Sequence, residues 1–303
     1  MESLPDAIVQ HILSLMSNAK DVASCKCVSK RWKDSMPYLR SLFSPKSFRQ
    51  PYQWQYPRCH SEPNGASNLE SLKLWGVLMI QSPKWDVFHR LKNLEIVGAS
   101  LKDYALSDAL RACPNLTHLL LLGCEGLMSV SIDNPHIEQC KLDFYGAGNC
   151  SLTVNSSKIE SLEVQGCSVI RVYETGRLKN LSISNNSGRV YLVDFGKLVA
   201  LETLSIRGVQ WCWDAISKML QMASEVDSRF LIPCLEKVVI TVRSPLNAEQ
   251  KMSTLDSLIK CAKNLRKMTI KILQMKSNHS SADDFFEDIC RFRYMNRKIV
   301  SIE

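Results

Sequence analysis

Twelve cysteines and six histidines are the residues of this 303-residue chain best suited to bind a metal or to serve as nucleophile and base. Their spacing argues against those roles. The cysteines are scattered singly apart from Cys25 and Cys27, there is no C-x-x-C pair, and no Cys/His cluster has zinc-ligand spacing. On a helix, Cys25 and Cys27 point to different faces. There is also no glycine-rich phosphate loop, no G-x-S-x-G and no H-E-x-x-H. His118 and His136 lie near strand starts and His89 in a connecting helix or turn. A lone histidine in such a place packs and hydrogen-bonds rather than acting as a base. The cysteines read as reduced thiols filling small core positions, which suits the cytoplasm or nucleus. No metal, cofactor or enzyme activity is expected.

Binding is the remaining class. The net charge of +8 gathers at Lys26, Lys30, Arg31 and Lys33 and again at Arg291, Arg293, Arg297 and Lys298. Such clusters form a solvated face and also suit an acidic protein partner. No aromatic and basic interleaving accompanies them, so no nucleic-acid partner is expected. No apolar run approaches the roughly 18 residues of a membrane span, and the N-terminus lacks the basic and apolar regions of a secretory signal. With 45% hydrophobic and 22% charged residues, the chain can build an ordinary core.

The elements that would position a binding surface announce themselves as a repeat. The pattern L-x-x-L-x-L fits Leu69, Leu72 and Leu74, then Leu91, Leu94 and Ile96, and recurs to Leu265, Met268 and Ile270. Nine such units follow one another, most of them about 19–25 residues apart, with the last two steps about 30 or more. The second and third apolar residues of a unit are two apart, so they share one face of a short strand. One strand cannot cover that face, but parallel strands stacked coil on coil bury a continuous core. The expected fold is α/β: a helical module at 1–45, a linker at 46–66, and a curved leucine-rich-repeat solenoid at 67–303 with a parallel sheet on its concave face. Helices are predicted over Ser107–Cys113, Trp213–Met222 and Ala248–Cys261. Short or irregular returns are predicted around Val130–Asn134 and Ser151–Asn155, with small second strands as the alternative. The amphipathic stretch Asp283–Met295, with Phe285, Phe286, Ile289, Cys290 and Phe292, is predicted to cap the open end of the sheet within 281–303.

The first residues break the period. Ser3 is placed to cap a helix with Pro5 in its first turn, and Ile8, Val9, Ile12, Leu13 and Met16 share a helical face. Asn18 and Ser29 are candidate caps for two more short helices, the last carrying Trp32. Three such helices make a marginal domain with apolar surface to spare for a partner.

At these residues the chain resembles an F-box: Leu4-Pro5-Asp6, Ile12-Leu13, Asp21-Val22, then Cys27-Val28-Ser29-Lys30-Arg31-Trp32, in the family's order and spacing over roughly residues 2–43. With the repeats, it is similar to the F-box/LRR proteins, and residues 231–275 are similar to the FBD-type closing segment of plant members. That segment's usual acidic-glycine connection is replaced by Ser244-Pro245-Leu246-Asn247. The resemblance implies docking on the Skp adaptor of a cullin–RING ubiquitin ligase of SCF type, with the repeats choosing the substrate. It places Leu4, Pro5, Ile8 and Ile12 at the adaptor, with Val28 and Trp32 partly there; Trp32 serves equally well as core. Other roles it leaves open are a small-molecule co-receptor and an F-box adaptor acting outside a ligase.

Strand alternation then nominates the face for a protein substrate. The column after the third apolar position contains Trp75, Val97, Leu122, Asp143, Gln165, Arg207 and Lys271, apolar at the start, polar in the middle and basic at the end. The patch of Trp75, Val97, Leu120 and Leu122 either recognises a partner or lies under the aromatic linker around residues 51–63.

Overall fold

The computed structural model describes residues 4–16, 18–26, 28–35, 39–44, 68–79, 87–144, 150–189, 192–195, 198–210, 232–273 and 280–303. They fall into two compact units, Met1–Tyr145 and Gly146–Glu303.

The first unit opens with three short helices, α1 (Asp6–Leu15), α2 (Ala19–Lys26) and α3 (Lys30–Asp34). Strands β1 (Ser41–Ser44), β2 (Ser71–Trp75), β3 (Leu78–Met79), β4 (Asn93–Val97) and β5 (Ser100–Leu101) follow. Next come α4 (Asp103–Arg111), β6 (His118–Cys124), β7 (Ser129–Asp133) and β8 (Gln139–Phe144). The main sheet runs β1-β2-β4-β6-β8 and is parallel at every step described. Behind it β3 pairs with β5. Leu72, Leu74, Leu94, Ile96, Leu119 and Leu121 are buried along its inner face, as the two-residue spacing requires.

The second unit repeats the plan. It contains β9 (Cys150–Asn155), β10 (Ser161–Gln165), β11 (Cys167–Tyr173), β12 (Asn180–Arg189), β13 (Leu192–Phe195) and β14 (Thr203–Gln210). After these come β15 (Lys237–Val242), α5 (Ala248–Cys261), β16 (Lys267–Ile272), α6 (Ser280–Met295) and β17 (Val300–Ile302). The main sheet runs β10-β12-β14-β15-β16-β17, all parallel, and β9, β11 and β13 form a parallel sheet on the return side. Each of the nine predicted apolar units supplies one main-sheet strand, and each unit of the chain is a solenoid of stacked coils.

The coils are joined by a recurring backbone device. The carbonyl of Glu70 accepts the N–H groups of both Lys92 and Asn93, at 2.9 and 3.1 Å. Lys92 then does the same for Thr117 and His118, Glu160 for Lys179 and Asn180, and Glu236 for Arg266 and Lys267. Asparagine side chains reinforce the joints. Asn115 Nδ2 donates to the His89 carbonyl at 2.8 Å and Asn264 Nδ2 to the Pro233 carbonyl at 2.6 Å, so the asparagines that precede Leu116 and Leu265 both tie down a preceding turn.

Several expectations are corrected. The sheet begins earlier than the apolar series indicates: the Arg40 carbonyl accepts from Glu70 and Ser71, and β1 pairs Leu42 with Leu72 and Ser44 with Leu74. Serine at the third inward position hid that coil. Nor does α6 end the stack. Phe285, Ile289 and Phe292 are buried, but Phe286 is exposed, and the chain continues into β17, whose Val300 and Ile302 pair with Met268 and Ile270. The edge is a three-residue strand, short enough to offer little template for further pairing. Helix α4 starts at Asp103 instead of Ser107, because the Asp103 carboxylate ties its first turn to the N–H groups of Met128 and Ser129 at 2.9 and 3.1 Å. The predicted helix at Ala248–Cys261 has those bounds, and the two returns take the alternative of small second strands, β7 and β9. The predicted helix at Trp213–Met222 lies outside the described residues.

Candidate functional site

The helical module is built on a small buried core and an exposed apolar rim. Helix α1 begins at Asp6 with Pro5 as its N-cap, so the helix starts later than a Ser3 cap would place it; Ser3 lies outside the described residues. Proline has no N–H to satisfy there, and its carbonyl accepts from Ile8 and Val9 at 3.0 and 3.2 Å. Val9, Leu13 and Val22 are buried. Asn18 precedes α2, and its carbonyl accepts from Val22 at 3.0 Å. Ser29 Oγ accepts from the Trp32 N–H at 3.4 Å and so caps α3. An ion pair between Asp6 and Arg31 ties the start of α1 to α3, so one charge of the basic cluster is already matched.

With Val9 and Leu13 turned inward, the rest of α1 faces out. Ile8 is 43% exposed, Leu15 73% and Val28 53%, Pro5 is exposed, and Leu4, Ile12 and Trp32 are half-buried. Leu15 escaped the sequence reading because its place in the periodicity does not distinguish it from a residue at the fraying end of a helix. The six nominated adaptor residues therefore divide: Pro5, Ile8 and Val28 present surface, while Leu4, Ile12 and Trp32 are shared with the module's core.

The outer face of the first unit's sheet carries two rows. Register places Lys73 beside Glu95, Leu120 and Lys141, and Trp75 beside Val97 and Leu122. Trp75 is 41% exposed and is held by two neighbours. Its Nε1 donates to Glu95 at 2.9 Å, the other Glu95 oxygen pairs with Lys73 at 2.8 Å, and Phe43 of β1 meets the indole edge-on at 4.9 Å between centroids. The aromatic that meets Trp75 thus comes from a neighbouring strand; the linker at 51–63 lies outside the described residues. Asp143 follows less regularly. Leu121 pairs with Leu142 but Cys124 with Phe144, so Leu122 and Gly123 together oppose Asp143 across a bulge.

In the second unit one row reads Gln165, Ser184, Arg207, Thr241 and Lys271. Thr241 is buried, and Thr269 of the adjacent row is buried against Ser301, their hydroxyls 3.4 Å apart. Lys271 pairs with Glu303 at 3.1 Å, so this end is less basic than the column of side chains implies. Arg243, two residues past Thr241, was missed because it lies beyond the strand.

Residues 1–39 match the family model described as F-box-like. F-box protein At1g10780 of Arabidopsis thaliana is 45% identical over 418 aligned positions, which cover the whole of this chain and the whole of that protein. The chain belongs to the F-box proteins. No solved structure matches it significantly. An F-box marks a substrate adaptor in general terms and implies binding to a Skp-type adaptor. Pro5, Ile8, Leu15 and Val28 all fall within the matched residues.

Elsewhere in this F-box protein several histidines and cysteines have near neighbours or are buried. His118 Nδ1 lies 2.8 Å from Thr117 Oγ1, and the backbone N–H of His136 donates to Asn134 Oδ1 at 3.0 Å. Burial pushes the thiols of Cys113 and Cys140 up to about 12 and that of Cys124 to about 11. Contact with the Cys150 thiol, followed by burial, raises Cys167 far above its ordinary value. Among the described residues, no group of three or more His, Cys, Asp and Glu could hold a metal, and no helix is long and apolar enough to cross a membrane.

Proposed function

We propose that this protein is the substrate-recognition subunit of an SCF-type cullin–RING ubiquitin ligase. The F-box docks on the Skp adaptor through Leu4, Pro5, Ile8, Ile12, Leu15 and Val28, with Trp32 bracing the helices. The outer face of the repeats holds the protein to be ubiquitylated. The chain performs no chemistry of its own; it brings a substrate to a catalytic subunit on another chain, in the cytoplasm or nucleus. The observation that carries the reading is the exposed apolar rim of Ile8, Leu15 and Val28 on a module too small to bury it. Large apolar side chains left outside a marginal core are best explained by a partner that covers them.

Co-purification of the full chain with a Skp-type adaptor tests it. Leu4→Ala with Pro5→Ala is expected to abolish the complex while leaving the unfolding of the repeats unchanged. An adaptor retained by that variant would refute the docking assignment. Proximity labelling with the same docking-deficient variant is expected to enrich proteins that accumulate when ligase assembly is blocked. Reversing charge at Arg207 and Lys271 without changing that set would remove their end of the sheet from the substrate surface.

A further inference from the structure

Helix α6 buries Ala282, Phe285, Ile289 and Phe292 and turns a second, ordered face outward. Asp283, Phe286, Glu287, Cys290, Arg293 and Tyr294 follow the i, i+3, i+4, i+7 spacing of one helical stripe, and Arg297 continues it just past the helix end. Phe286 is 45% exposed and Tyr294 76%, with Cys290 half-buried between them. Charge is segregated along the helix. Asp283, Asp284, Glu287 and Asp288 come first, then Arg291, Arg293 and, beyond the helix, Arg297 and Lys298. That order suits the helix dipole, but it also sets like charges four residues apart at Asp283 and Glu287, at Asp284 and Asp288, and at Arg293 and Arg297. Asp288 and Arg291 pair at 3.7 Å; among the described residues, Asp283, Glu287, Arg293 and Arg297 enter no ion pair.

Turned end for end about Cys290, this stripe complements itself. Glu287 and Arg293 stand three residues either side of Cys290, Phe286 and Tyr294 four, and Asp283 and Arg297 seven. A second copy of the helix laid antiparallel sets each acid against a base and each Phe286 against a Tyr294 ring, with the two Cys290 thiols on the axis. A purely acidic partner would match Arg293 and Arg297 but leave Asp283 and Glu287 facing like charge; a second copy matches all four. We propose that α6 is a homodimerisation surface, on which two copies of this chain associate through antiparallel α6 helices. One helix pair is a small interface, so the dimer is weak and reversible. The proposal rests on neither the adaptor nor the substrate reading.

The test follows the full-length chain, kept reduced, by sedimentation equilibrium between about 1 and 100 µM, where a small interface assembles. A monomer–dimer equilibrium is expected, weakening as salt is raised. Arg293→Glu sets like charges together twice in each dimer and is expected to weaken association about tenfold or more. Glu287→Arg is expected to do the same. The double variant restores opposite charges across the axis and is expected to return to within about threefold of the parent. Should the reversals unfold the chain, Tyr294→Ser, at a largely exposed ring, is expected to weaken the dimer on an intact fold. A short bis-maleimide is expected to join Cys290 of one copy to Cys290 of the other, identified by peptide mass. Protein that stays monomeric across the range would overturn the surface, as would a dimer indifferent to these substitutions, a double variant no better than the single ones, or crosslinks that avoid Cys290. An acidic peptide captured by a chain that remains monomeric would also overturn it.

Discussion

Trp75 donates its indole N–H to Glu95 on the neighbouring strand at 2.9 Å, and that bond fixes the largest aromatic surface on the first unit's outer face. The ring is braced from the other side by Phe43, edge-on at 4.9 Å. A half-exposed tryptophan locked in one orientation is a pre-formed contact, since it has little conformational freedom left to lose on binding.

The Phe43–Trp75 pair should be measurable. A double-mutant cycle with Phe43→Ala and Trp75→Ala in urea unfolding is expected to return a coupling of about 0.5–1.5 kcal/mol. A coupling indistinguishable from zero would mean that the rings do not meet in solution.

Inward and outward residues of α1 should separate stability from docking. Leu13 is fully buried, and Leu13→Ala is expected to cost about 2–5 kcal/mol. Leu15, on the same helix, is 73% exposed; Leu15→Ala is expected to leave the unfolding midpoint nearly unchanged and to weaken adaptor binding. Measuring both quantities for both variants checks the division.

Gly126 has φ +85, and a Cβ placed there would lie 2.7 Å from the Leu101 carbonyl oxygen. Gly126→Ala must therefore shift backbone as well as bear a left-handed conformation, and a loss above about 2 kcal/mol is expected. Gly98 has φ +59 and open space around it, so Gly98→Ala is expected to cost only about 1 kcal/mol. Equal losses at the two positions would show that the Leu101 contact is not rigid.

Alkaline pH should destabilise the fold. Cys113, Cys140 and Cys124 titrate at about 12, 12 and 11 when folded, against about 8.5 in an unfolded chain. Between those values the folded state binds more protons, so the stability they contribute is intact below about pH 8.5 and is lost as pH rises toward 11–12. Lys251 opposes them. Burial lowers it to about 8, so above that pH the unfolded chain holds the extra proton and stability rises until the ordinary lysine range is reached. With three thiols against one amine, reduced protein is expected to lose stability between about pH 9 and 10.5 in denaturant titrations. Cys140→Ala should flatten that decline and Lys251→Met should steepen it. Lys251→Met is also expected to cost about 1–3 kcal/mol at neutral pH, because its Nζ donates to the carbonyls of Ser244 and Leu246, each at 2.6 Å.

The solenoid was legible because its signal is a spacing: apolar side chains two apart, nine times over, can bury only one way. What escaped lay where that spacing was broken. Ser44 stands where Leu74 stands one coil later, and Arg297 precedes Val300 where the pattern asks for a leucine, so both terminal strands went unread. The face columns matched the register strand for strand, up to the bulge at Gly123 that sets Asp143 out of line. Partnerships stayed hidden, because they depend on neighbours about thirty residues away in sequence. Lys271 looked like a free cation until Glu303 arrived on β17, and Arg243, beyond the last apolar position of its unit, went unread.

The paired acceptance of two N–H groups by one carbonyl, seen at Arg40, Glu70, Lys92 and Glu236, means that main chain forms the common fastening between those coils. Side chains such as Asn115 and Asn264 reinforce that fastening without replacing it. Each unit therefore works like a threaded rod, on which each turn can be re-faced while the pitch stays constant. Lineages that share the rod can diverge freely in what they grip.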